Sequence, residues 1–102
     1  MTDLQTILNE LKKGYLIKLE TELLTLNSML NTDPINIEEL YRKVHTISGT
    51  GGVYGLSQIS DCSSEFEIYI KEKKDSNLTQ KELREELTKY TKLLERLILA
   101  GA

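Results

Sequence analysis

An all-α fold is what this 102-residue sequence predicts: an antiparallel up-down four-helix bundle with a short additional N-terminal helix. Three observations predict it. Apolar residues recur at alternating steps of three and four in four separate segments. Strong helix formers (Leu, Glu, Lys) dominate, with no Trp, one Pro and one Phe, a composition unsuited to an all-β sandwich. The gaps between the segments are short and hold turn and cap residues, which favours antiparallel neighbours. The length suits one small domain over residues 1–102.

The elements follow in order. Leu4, Ile7, Leu8 and Leu11 share one face of residues 3–12, a leading helix expected to close one end of the bundle and to end near Gly14. In the first bundle helix Leu16, Leu19, Leu23, Leu26 and Leu30 form the seam, and the stretch NTDPIN at 31–36, with the only proline, ends it. Asn36 is the expected N-cap of the second helix, with Glu39 three positions on. That helix carries Ile37, Leu40, Val44, Ile47 and Gly51 on its seam. YGLS at 54–57 reads as a sharp turn, Gly55 taking a left-handed conformation and Ser57 capping the third helix. The third seam is Ile59, Cys62, Phe66 and Tyr69, with Ile70 beside it. After the polar KKDSNLT at 73–79, Thr79 and Glu82 form a capping box for a fourth helix whose seam is Leu83, Leu87, Tyr90, Leu94 and Leu97.

Composition narrows the function classes. Net charge is −3 with both signs mixed along the chain, which argues against a nucleic-acid binder and its basic patch. The KEKK run at 71–74 reads as a solvated helix end. Cys62 is the only cysteine, so it forms no internal disulfide; it fits a reducing compartment and a small core position. The polar, acidic N-terminus lacks the features of a signal peptide, and no apolar run approaches the ~20 residues of a membrane span. A cytoplasmic location is expected.

Residues 45–55, HTISGTGGVYG, hold the only histidine and four of the six glycines. Heptad labelling of the second helix puts Ile37, Val44 and Gly51 at a, and His45 at b, on the flank of the buried stripe. Labelling of the third helix puts Glu67 at b as well. Equivalent flanks of an antiparallel pair face each other, so the Glu67 carboxylate is placed to accept the Nδ1 proton of His45 and leave the Nε2 lone pair exposed. A nucleophilic imidazole needs that arrangement. Gly49 and Gly52 lie one and two turns beyond His45 and leave its C-terminal side open; Gly51 permits close helix packing; Gly55 ends the helix. Each interior glycine costs ~1 kcal/mol relative to alanine, so three together call for a reason. A phosphate-cradling loop is a poor fit, because Tyr54 stands where GxGxxG needs its last glycine and no Walker lysine is present. One His and one Cys do not make a metal site, and no nucleophile–base pair suggests a hydrolase.

These residues resemble the histidine-containing phosphotransfer (HPt) domain, a family that includes the phosphotransfer domain of chemotaxis kinases. The family motif, roughly His-x-hydrophobic-Lys-Gly-x-x-x-x-hydrophobic-Gly-hydrophobic, is matched by His45-Thr46-Ile47-Ser48-Gly49-Thr50-Gly51-Gly52-Val53-Tyr54-Gly55-Leu56, with Ser48 in the lysine's place. The resemblance also places a Glu or Gln 22 positions after the histidine, where Glu67 stands. It covers most of the chain. It implies a histidine phosphocarrier of a multistep phosphorelay, not an autonomous enzyme, that accepts and donates a phosphoryl group at His45. Glu67 would orient the ring, and Ser48 would offer a hydroxyl without charge. Arg42, Gly49, Gly52 and Lys71 would face the partner, Arg42 and Lys71 supplying the missing charge. The implied partner is a receiver domain or hybrid sensor kinase, with no nucleic acid or membrane involved. The chain would bind no cofactor, Mg²⁺ being carried by the receiver, and would be monomeric. The alternative is a degenerate adaptor that binds a receiver or kinase without being phosphorylated, for which the departure at Ser48 is the motive.

Overall fold

The computed structural model describes residues 3–101. Four helices follow one another: α1 over Asp3–Met29, α2 over Ile37–Val53, α3 over Ser57–Lys73 and α4 over Gln80–Leu99. No strand occurs among the described residues. α1 packs on α2 and α4, and α3 on the same two, so the helices close a bundle in which α2 and α3 lie closest. Cross-helix pairs run in opposite order along neighbours. Tyr15 reaches Ile47 while Glu22 reaches Lys43, and Glu38 pairs with Lys74 while Ser48 pairs with Ser64.

The leading helix expected over 3–12 is not a separate element. It is the start of α1, which runs through Gly14 without a break. Gly14 weakens a helix interior by ~1 kcal/mol but supplies no proline and no cap, and the apolar stripe Leu4, Leu8, Leu11, Tyr15, Leu19 crosses it in helical register. α1 is therefore ~40 Å long against ~25 Å for α2, and its N-terminal turns project past the bundle. The molecule measures 52 × 23 × 19 Å.

The core is the inner face of all four helices. Leu19, Leu26, Leu40, Val44, Ile59, Ile70, Leu87 and Leu94 are fully buried. In α1 the buried positions are Tyr15, Leu19, Leu26 and Met29, while Leu16, Leu23 and Leu30 are only partly covered. In α3 the stripe is turned by one position from the expected seam. Ile59, Ser63, Phe66 and Ile70 are buried, and Cys62 and Tyr69 sit at the edge. The reason is Tyr90, whose ring packs on Phe66 at 4.8 Å and whose hydroxyl pairs with Ser63 Oγ at 2.7 Å, so a serine can be enclosed without an unmet hydrogen bond.

The connections use local chemistry. Asn36 caps α2 by accepting from Glu39 N, and Thr79 caps α4 by accepting from Glu82 N. Ser57 is not the cap of α3 but its first residue; buried Leu56 holds the cap position, with no side-chain bond. Gly55 takes φ +71°, and the α2–α3 turn closes with Leu56 N donating to Gly51 O at 2.8 Å. The α1–α2 loop is clamped from α4: Arg84 donates to the carbonyls of Leu30, at 2.6 Å, and Thr32, and Gln80 Oε1 accepts from Ile35 N at 2.8 Å.

Candidate functional site

The close approach of α2 and α3 starts from small residues. A Cβ at Gly51 would stand 3.2 Å from the backbone N of Ser60, so only glycine lets the two backbones meet there without a shift. Around it the seam is lined with hydroxyls. Ser60 Oγ donates to Ser48 O at 2.9 Å, and the Ser48 and Ser64 hydroxyls pair at 2.5 Å. One turn further along, on the flank of the same seam, His45 Nδ1 lies 2.5 Å from Glu67 Oε1. The structure thus joins the two residues that heptad labelling placed on facing flanks.

The two partners differ in environment. The His45 side chain is 68% exposed and that of Glu67 17% exposed. A carboxylate only accepts, so an ionised Glu67 requires the proton on Nδ1 and leaves Nε2 with a free lone pair. Tyr41, one turn before His45, stacks against the imidazole with planes inclined by 8° and centroids 6.2 Å apart. The sequence does not single out Tyr41, although the i, i+4 spacing puts it on the side of the helix that His45 occupies. Beyond Tyr41, Glu38 and Lys74 join α2 to α3 at 2.7 Å, and the Glu38 carboxylate holds the Lys74 ammonium above its ordinary pKa.

The remaining predicted residues fall into two groups. Gly49 and Gly52 are exposed beside His45; a Cβ at Gly49 would meet nothing, and one at Gly52 only Ser60 Oγ in ordinary contact at 3.5 Å. The other group stands apart from the imidazole or faces elsewhere. The Ser48 hydroxyl is engaged by Ser64 and lies 3.5 Å from Ser60 O, so bonding to a group on His45 requires it to leave α3. Arg42 lines a shallow cleft with Glu22, Lys43 and Thr46, on the α1 side of α2. Lys71 is exposed one turn beyond Glu67. Cys62 lies at the α3–α4 edge, and burial pushes its thiol pKa up, which suits an inert side chain.

No group of three or more potential metal ligands occurs among the described residues. No described helix is long and apolar enough to cross a membrane. A large exposed apolar surface is formed instead by the projecting turns of α1. Leu4, Ile7, Leu8 and Leu11 stand in solvent there, and Leu4 and Leu8 line a cleft of about 540 Å³ with Val53, Tyr54 and Gly55.

No curated protein and no solved structure matches this chain. A family model does: residues 3–99 match the Hpt domain. The chain, a helical bundle with an exposed imidazole bonded to a carboxylate, belongs to the Hpt domain family, whose members relay phosphate with receiver domains and are generally intermediates rather than autonomous enzymes.

Proposed function

We propose that His45 is the phosphoryl-accepting residue and that residues 1–102 act as one carrier domain of a cytoplasmic phosphorelay. One observation carries the reading: the chain's only histidine holds Nδ1 on Glu67 while its side chain stays largely exposed. Nε2 attacks the phosphorus of a receiver's aspartyl phosphate. The N–P bond forms as the acyl O–P bond breaks, and the aspartate leaves as its carboxylate. The Nδ1 proton stays on the ring, and the positive charge that develops on the imidazolium is met by the Glu67 carboxylate. The reverse step returns the phosphoryl group to a receiver, so the carrier works in either direction.

The docking face runs along α2 from His45 over Gly49 and Gly52, which raise no side chain against a partner, to Val53, which is 81% exposed. The projecting apolar turns of α1 continue that face. Arg42, on the α1 side of α2, and Lys71, exposed one turn beyond Glu67, would supply positive charge to the partner's acidic centre rather than to the imidazole itself. The test is incubation with a phosphorylated receiver, which should yield an acid-labile, base-stable phosphoprotein. Full labelling of His45→Gln would overturn the assignment.

Ser48 favours a second reading, because no lysine occupies that position and the hydroxyl is engaged within the seam. In that reading the chain binds a receiver or kinase without being phosphorylated. Undiminished receiver binding by His45→Ala, together with no labelling of the parent chain, would select it.

A further inference from the structure

An exposed histidine on a helix has freedom that a relay residue cannot keep. Its ring can change rotamer, and a half-turn about Cβ–Cγ exchanges Nδ1 with Cδ2. Glu67 restrains this at one atom only, Nδ1, at 2.5 Å. A single hydrogen bond lets the ring plane swing about that contact. A flat surface against the ring removes the swing, and α2 provides one. Tyr41 is half-buried and packed against the core, so its own ring has less freedom than an exposed one. It presents a face nearly parallel to the imidazole, 8° off, at a centroid distance of 6.2 Å, within the range of offset aromatic pairs. One turn before it, the exposed Glu38–Lys74 pair spans α2 and the end of α3 on that side.

We propose that Tyr41 is a positioning residue for His45: its ring holds the imidazole plane so that Nδ1 stays on Glu67 and Nε2 points out of the bundle. The ring, not the hydroxyl, carries this role. The effect on phosphoryl transfer rests on the reading of His45 as the acceptor; the effect on ring orientation does not.

Because the chain has a single histidine, its two ring nitrogens give unambiguous NMR signals. The parent chain and Tyr41→Phe should show one tautomer, with the proton on Nδ1. Tyr41→Leu, which keeps apolar bulk without an aromatic face, should show signals averaged between tautomers. Phosphorylation by a small phosphoramidate, which needs no docking surface, should slow about fivefold in Tyr41→Leu, equivalent to about 1 kcal/mol, and recover in Tyr41→Phe. Thermal unfolding checks that the variant is folded; if Tyr41→Leu is not, Tyr41→Met takes its place. A parent-like tautomer and rate in the aliphatic variant overturns the proposal, and so does a loss in Tyr41→Phe as large as in Tyr41→Leu. A tautomer shift in a chain that no donor phosphorylates leaves the positioning role standing and removes the acceptor reading. Normal labelling with no effect of Tyr41→Leu does the reverse.

Discussion

The α2–α3 seam and the projecting start of α1 are built from opposite materials. The seam is made of glycine and serine, brings two backbones together and ties hydroxyls across the gap. The projection is a single helix with large leucines and an isoleucine in solvent, Leu4 being 66% exposed. The difference lies in what each must do. A hydrogen bond between His45 and Glu67 tolerates only a few tenths of an ångström, so the helices that carry it are packed where no flexible side chain intervenes. Large side chains on an unburied turn cost the core nothing, and on the docking face proposed above they would offer a partner apolar contact that is tolerant of geometry. The first region keeps a distance, and the second keeps a surface available.

That contrast can be broken most forcefully at Gly51. Gly51→Leu should lose about 3 kcal/mol in urea unfolding, because the new side chain meets the Ser60 backbone. Leu8→Ser, on the projection, should change stability by less than about 0.5 kcal/mol while weakening receiver binding. Comparable destabilisation by the two substitutions would end the distinction between the regions. Glu67→Ala leaves the exposed imidazole without its acceptor and should slow phosphorylation by a small donor about tenfold. An unchanged rate would show that the seam's geometry serves packing alone.

Gly49→Ala separates fold from docking, since its methyl group meets nothing. It should stabilise the chain by about 1 kcal/mol through helix propensity and yet slow transfer from a receiver more than transfer from a small donor. Equal effects on both donors would remove Gly49 from the docking face. A smaller effect concerns alkaline pH. Burial raises the pKa of Tyr15 and Tyr90 above the ordinary 10.0. The unfolded chain therefore loses these protons first, so stability from this source is whole below pH 10 and falls as pH rises from there through the folded-state values. Tyr90→Phe should flatten that fall in unfolding curves taken on either side of pH 10, at a cost of about 1 kcal/mol at neutral pH from Ser63 losing its partner.

Part of the site is legible in the sequence. The facing of His45 and Glu67 follows from helix periodicity and antiparallel order, which need only spacing. The engagement of Ser48 is not legible there, because a hydroxyl at a flank position can turn outward or inward, and here Ser64 draws it inward. The stacking of Tyr41 on His45 is half visible. The spacing of four puts the rings on one side, but the parallel arrangement depends on the core that Tyr41 packs against.

The sequence by itself determined the number of bundle helices, the caps at Asn36 and Thr79, the left-handed turn at Gly55 and the pairing of the histidine with its carboxylate. These are local matters of hydrogen-bond capacity, permitted φ and 3.6-residue periodicity. Tertiary structure alone decided that Tyr15 and Ser63 enter the core while Cys62 stays at the edge, that Ser48 faces α3, and that α1 extends past its neighbours with its leucines uncovered. Each of these depends on which atoms a second helix brings within reach, and that information lies in no single stretch of the chain.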